Sequence, residues 1–326
     1  MALNEPLRFQ PVFRRYLWGG RRLESVLGKA LPAGDDYAES WEVVDHRETQ
    51  SVVLAGEFAG WTLSRLVQQQ GAELLGRHHP QPQFPLLFKF LDAHRNLSVQ
   101  VHPNDEQAAR LDPPDRGKTE AWVVLYAEPG SRIYAGFKAG VDRAQVIAHL
   151  QVGTLPEVLH HFEPAVGDAL LIPAGTVHAL GEGLVVAEIQ QASDTTFRLF
   201  DWNRVGPDGK PRPLHIEQAL EVIDFARGPL MPVHVNDTTE AAAPQRLVTC
   251  DKFVLERYTV AGPFSLPDDR RCHLIAVIEG QLGLQRDPVD EPLGRGQTAL
   301  IPAAARPCKL IPQSDTATLL DIFLPS

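Results

Sequence analysis

A twelve-residue pattern, Gly167-x5-Pro173-x-Gly175-x2-His178, returns later in the chain as Gly296-x5-Pro302-x-Ala304-x2-Pro307, with Leu-Ile-Pro common to both copies. Such an echo constrains the fold strongly, because a duplicated unit repeats its topology. In the first copy, Ala169 to Ile172 reads as a buried strand between turn residues, and Thr176-Val177-His178 starts the return strand. Further strands are predicted at Trp41 to Val44, Phe88 to Leu91, Ala121 to Tyr126, Leu184 to Ile189, Val248 to Leu255, His273 to Ile278 and Ala299 to Ile301. Helical spacing is confined to Leu63 to Leu75, Arg143 to Leu150 with a continuation near Leu155 to His160, and Ile216 to Phe225. Many short strands among 27 prolines and 25 glycines favour a sandwich or barrel. The chain therefore reads as mainly β, two barrels with a few short α-helices, one over residues 1–235 and one over 245–326. Val235 to Pro244, polar and then small, is the linker.

The two copies differ where chemistry would sit. The first ends in a histidine at a position where strand patterning would bury an apolar residue. The second has exchanged the turn glycine for alanine and the histidine for proline, whose side chain cannot bind a metal, so the second barrel is expected to be metal-free. Upstream, Gln100 and His102 are two apart in the extended run Leu97 to Pro103 and share one face, with Val99 and Val101 on the other. Glu120 follows in Gly117-Lys118-Thr119-Glu120-Ala121-Trp122. Two imidazoles, a carboxylate and an amide oxygen can converge on a divalent ion when strand pairing sets their spacing.

Composition excludes more than it identifies. A formal charge of −10 argues against nonspecific nucleic-acid binding, which needs a basic surface. Cys250, Cys272 and Cys308 contain no C-x-x-C pair, so neither a disulfide framework nor a cysteine zinc site is expected. No apolar run approaches membrane-spanning length, and Glu5, Arg8, Arg14 and Arg15 break up the N-terminus, so no membrane association and a cytoplasmic location are expected.

The Gly-x5-Pro-x-Gly-x2-His motif resembles the second signature of the cupin superfamily. Its neighbours narrow the match. They are Trp18-Gly19-Gly20, Glu39-Ser40-Trp41-Glu42, Phe84 to Asp92, Leu97 to Asp105, Gly117 to Trp122, and Glu188-Ile189-Gln190-Gln191-x2-Asp194-Thr195-Thr196-Phe197-Arg198. In that order they resemble the short bacterial form of type I mannose-6-phosphate isomerase, over roughly residues 10 to 225. Only about fifty-seven residues separate Glu120 from His178, so the large helical insertion of the long forms is missing. The resemblance implies a bicupin of two jelly-roll barrels whose N-terminal unit holds one zinc ion on Gln100, His102, Glu120 and His178.

The activity it implies is the interconversion of mannose 6-phosphate and fructose 6-phosphate through an enediolate. Arg198 matches the family's catalytic arginine. Lys118 and Glu188 are the two candidates for the proton-transfer base, and Ser98 and Arg204 the expected substrate contacts. Lys210 and Arg212 on the following Pro-Asp-Gly loop are further cations for a dianionic sugar phosphate. A monomer or weak homodimer is expected. Two rivals remain. Two histidines and a carboxylate also suit an iron-dependent cupin oxygenase, and a non-catalytic sugar-phosphate sensor would keep the pocket.

Overall fold

The structure, a computed structural model, describes residues 2–206, 209–234 and 243–326. It contains two β-sandwiches. In the first, a six-stranded sheet runs in the spatial order Val12–Gly20, Tyr37–Val43, Leu86–Ala93, Leu184–Gln191, Glu120–Ala127, Ala169–Ile172. A five-stranded sheet faces it in the order Phe197–Phe200, Val99–Val101, His178–Leu180, Ile133–Phe137, Leu159–Phe162. The second sandwich pairs a five-stranded sheet (Gln245–Thr249, Val254–Val260, Ala317–Phe323, His273–Glu279, Thr298–Ile301) with a four-stranded one (Phe264–Ser265, Lys309–Pro312, Gln281–Leu284, Leu293–Gly294). Neighbouring strands are antiparallel and many are far apart in sequence, the jelly-roll pattern of a bicupin.

The repeat is structural. Gly167 and Gly296 both adopt positive φ, at 93° and 79°, which glycine accepts without a Cβ clash. The strands that follow, Ala169–Ile172 and Thr298–Ile301, occupy the same end position in their sheets. The copies part at the next turn. Gly175 has φ 85° in the first, whereas Ala303–Ala305 forms a short 3-10 helix in the second.

The six-stranded sheet is buried on both faces. Phe88, Phe90, Val123 and Ala187 pack with Leu255, Leu274, Leu320 and Ile322 of the second sandwich in one apolar cluster. Alternation then turns Lys89, Glu120, Trp122 and Glu188 to the opposite face, into the first sandwich. Leu7 also crosses between the units, its N–H and C=O each bonded to Leu300 at 2.8 Å. The second sandwich thus seals the outer face of the sheet that carries the polar site. The expected linker lies outside the described residues from Val235 to Ala242.

Most predicted elements form, and local chemistry sets their ends. Helix Leu63–Leu75 starts at Thr62, whose side chain accepts from Arg65 N, and buries Leu63, Leu66, Val67, Leu74 and Leu75. Helix Arg143–Val152 opens with a reciprocal Asp142–Gln145 capping box and ends at left-handed Gly153. That cap corrects the expected helical continuation. Leu155–Val158 is a separate 3-10 turn with Pro156 at its start, and Leu159–Phe162 is a strand. Val248 to Leu255 is likewise two strands and not one, because the chain reverses at Cys250–Phe253, with Cys250 N donating to Phe253 O and Asp251 exposed. The third predicted helix stops at Val222. No helix among the described residues is long and apolar enough to cross a membrane.

Candidate functional site

Strand register assembles the metal-ligand candidates. His178 opens its strand directly opposite Gln100, and Arg198 faces Gln100 from the other side. Glu120 opens the strand of the facing sheet, opposite Ile172 and Gln190. Gly175 N donates to the His102 carbonyl at 2.9 Å, so the left-handed turn of the repeat motif is tied to the other histidine segment. Ligand atoms of His102, Glu120 and His178 all lie within 4.8 Å of one another, and all three residues are buried.

The hydrogen bonds around the imidazoles decide what they can do. His102 Nδ1 lies 2.9 Å from the Thr195 carbonyl and His178 Nδ1 2.9 Å from the Thr176 carbonyl. A carbonyl only accepts, so each Nδ1 carries a proton, and in the neutral ring Nε2 then presents the lone pair. Those Nε2 atoms face the Glu120 carboxylate at 3.4 and 3.1 Å. Neither Glu120 oxygen receives a hydrogen bond. Buried lone pairs converging on one another call for positive charge; Lys118 supplies some of it on the His102 side, and this donor set of two nitrogens and a carboxylate suits a divalent metal. The Gln100 amide reaches the same point, 3.4 Å from His178 Nε2, and can present its oxygen when turned over.

Charge states agree with ligation. Burial, and next the Lys118 ammonium, push His102 down to about 3, so its imidazole is neutral at neutral pH. Burial opposes ionisation of Glu120, but nearby positive charge, that of Lys118 first, outweighs it and holds the carboxyl well below its usual range. Lys118 Nζ stands 3.2 Å from His102 Nε2 and 3.3 Å from Glu120 Oε2.

Lys118 and Gln100 of this group border a cavity of about 290 Å³, near the lower limit of about 300 Å³ usual for small-ligand sites, whereas His102, Glu120 and His178 are not on its lining. Of the residues singled out from the sequence, Ser98, Gln100, Lys118, Glu188 and Arg198 line it. Glu188 accepts from Trp122 Nε1 at 2.9 Å and pairs with Lys89 Nζ at 3.2 Å. Its pKa is raised, chiefly by burial and then by the charge of Glu120. Arg198 donates through Nη1 to the Pro213 carbonyl at 2.8 Å, while its buried Nε has no partner.

Arg204 is not among the lining residues. Its Nε and Nη2 bind Asp201 at 3.0 and 2.8 Å and its Nη1 the Asn96 carbonyl at 2.6 Å. Arg212 also grips Asp201 yet does line the cavity, whereas Lys210 does not.

Several lining groups carry no role in the sequence reading, above all Lys89, Glu39, Asp194 and Tyr16. Lys89 bridges Glu188 and Glu39, 3.5 Å from the latter, and these carboxylates outweigh burial and raise its pKa, so it stays a cation. Its signal was a single charge inside the apolar run Pro85 to Leu91, where a strand buried on both sides would carry none.

A bicupin with a candidate metal centre, buried beside a cavity lined by both signs of charge, is the class that this fold and site define. The family model for the catalytic domain of type I phosphomannose isomerase matches residues 7–123. The mannose-6-phosphate isomerase ManA of Bacillus subtilis is 35% identical over 299 residues, 92% of this chain and 93% of that protein. A mannose-6-phosphate isomerase of Streptococcus mutans is 32% identical over 279 residues, covering 86% of each. The crystal structure of the mannose 6-phosphate isomerase from Bacillus subtilis superposes with a TM-score of 0.86 at 27% identity, over 98% of this chain and 99% of that one. The chain belongs to the type I mannose-6-phosphate isomerase family.

Proposed function

We propose that the protein interconverts D-mannose 6-phosphate and D-fructose 6-phosphate in its N-terminal unit, residues 1–235, with zinc held by His102, Glu120, His178 and Gln100. The observation that carries this reading is the pair of Nε2 lone pairs turned on a buried carboxylate that accepts no hydrogen bond. Zinc held there would supply a Lewis acid that favours the negative charge developed in the enediolate.

The chain's own groups then have defined tasks. In the open-chain aldose, a base takes the proton from C2, the electron pair moves into a C1–C2 double bond, and the C1 carbonyl becomes an oxyanion. The hydroxyl proton of O2 passes to O1, the carbon proton is returned to C1, and C2 becomes the carbonyl, so no net proton is gained or lost. Lys118 and Glu188 are the two candidates for this transfer. Glu188 is favoured by its raised pKa, which brings a carboxyl nearer the range where it can both take and give a proton. Lys118 is favoured by its position against Glu120. Arg198, with an unpartnered Nε and a fixed fork of donors, suits the phosphate or the enediolate. Ser98 offers a hydroxyl on the same wall. Four cationic side chains on the lining, Lys89, Lys118, Arg198 and Arg212, favour a dianionic substrate over the apolar one expected of an oxygenase.

The test is formation of fructose 6-phosphate from mannose 6-phosphate by purified protein, before chelation, after it, and after zinc is restored. Activity lost and regained with zinc is expected. No turnover by folded, zinc-loaded protein would overturn the reading, and iron-dependent oxygen uptake or binding without turnover would replace it with one of its rivals.

A further inference from the structure

The group that orients His102 lies outside the cavity. His102 Nδ1 donates to the carbonyl of Thr195, and that bond turns Nε2 toward Glu120. Thr195 sits between the strands Leu184–Gln191 and Phe197–Phe200, outside any sheet ladder. Side-chain bonds hold it instead. Its hydroxyl donates to Asp115 Oδ2 at 2.7 Å, and Ser193 Oγ donates to the same oxygen at 3.2 Å while accepting from Thr195 N at 3.3 Å. The second Asp115 oxygen accepts from Arg116 N at 2.8 Å and from His46 Nε2 at 3.2 Å.

One carboxylate, only 6% exposed, therefore ties together three segments distant in sequence. They are the hairpin bearing His46, the stretch leading into Lys118 and Glu120, and the loop whose carbonyl holds His102. Burial opposes ionisation of Asp115, but the bonds from His46 and Thr195 hold its pKa below the usual carboxylate range. An ionised carboxylate only accepts, so the Thr195 hydroxyl is fixed as a donor and the loop is fixed with it.

We propose that Asp115 is a positioning residue of the metal centre, acting through Thr195 to hold His102 in the tautomer and orientation that ligation requires. The inference rests on the metal reading above. Partners one bond removed from a ligating histidine commonly change metal affinity about 10- to 100-fold.

The experiment is zinc affinity by chelator competition on the full chain, with the visible spectrum of the cobalt-substituted protein as a second readout. Asp115→Ala is expected to weaken zinc binding about 10- to 100-fold and to alter the cobalt ligand-field bands. Asp115→Asn, which keeps one acceptor oxygen, should recover part of the loss. Thr195→Val removes the same bond while keeping the carbonyl, so it should weaken zinc in the same direction, and it carries the test if Asp115→Ala does not fold. The double variant should be no worse than the poorer single one, as expected for two members of one chain of contacts. A merely structural role would lower the melting temperature of the metal-free protein and leave zinc affinity and the cobalt spectrum as they are. Wild-type affinity in folded Asp115→Ala and Thr195→Val would overturn the inference alone. A wild-type chain that binds no divalent ion would overturn the metal reading and this inference with it.

Discussion

Replacing Lys89 by methionine tests whether the charged wall of the cavity is a single coupled network. Lys89 is 4% exposed and is the cation between Glu188, at 3.2 Å, and Glu39, at 3.5 Å. Methionine keeps the length and apolar stem of the side chain but leaves two buried carboxylates without their partner. Removing one member of a buried pair costs about 3–5 kcal/mol. At about 2 °C per kcal/mol, the low end of the range for large domains, the melting temperature should fall by about 6–10 °C. Urea unfolding of Lys89→Met, Glu188→Gln and the double variant closes the cycle. Glutamine can still accept from Trp122 Nε1, so the double variant should lose less than the sum of the singles by about 1–3 kcal/mol. The pH dependence has a definite sign. Burial and Glu120 raise the Glu188 pKa and Lys89 opposes them, so removing Lys89 raises it further. A raised carboxyl pKa favours the folded state below the unfolded value and loses that contribution as pH rises, so the deficit of Lys89→Met should narrow as the solution is acidified. A loss below about 1 kcal/mol, or additivity within about 0.5 kcal/mol, would show that Lys89 and Glu188 do not act as a pair.

Zinc added at about 100 times its dissociation constant should stabilise the wild-type chain by about 2.7 kcal/mol and His178→Ala hardly at all, read by thermal melting with and without chelator. Arg198→Met should lower kcat/KM for mannose 6-phosphate by about 10- to 100-fold, the loss expected for a charged hydrogen bond of about 1.5–3 kcal/mol, while Arg204→Met changes it only a few-fold. Equal losses in steady-state kinetics would move the weight from the cavity guanidinium to the Asp201 cluster. Gly175→Ala should destabilise by about 1–2 kcal/mol from its positive φ, with further strain because a Cβ there would stand 3.1 Å from the Val222 carbonyl; calorimetry would detect it. In the second sandwich, burial opposes the charge on His273 and Arg306 adds to that opposition. Asp321 at 2.7 Å and Asp269 at 3.3 Å outweigh both and raise its pKa. Its contribution is therefore complete below about pH 6.5 and lost as pH rises through the folded value. The melting temperature of wild type should fall toward that of His273→Gln between pH 6 and 9, and parallel curves would refute the assignment.

What could be read from the sequence was whatever local chemistry controls. His178, Gln100 and His102 were legible because each stands at a polar place in an apolar alternation, and the helix ends because Thr62, Asp142 and Gly153 act within one turn. Lys89 and Glu39 were not, because they meet Glu188 through strand register, which joins residues about 50 to 100 positions apart. The arginines mark the same limit. Arg204 and Arg212 both bind Asp201, yet only Arg212 lines the cavity, a difference that no local pattern marks. The repeat carries the longest-range lesson. Its second copy kept the positive-φ glycine and the end strand but gave up Gly175 and His178 for Ala304 and Pro307. Those losses cost the second sandwich nothing in its packing role, since Leu255, Leu274, Leu320 and Ile322 cover the outer face of the sheet whose inner face carries Lys89, Glu120 and Glu188. An apolar cover on one side is what lets a strand such as Leu86–Ala93 hold a buried lysine toward the other. The second copy thus bears on the chemistry through the sheet it seals.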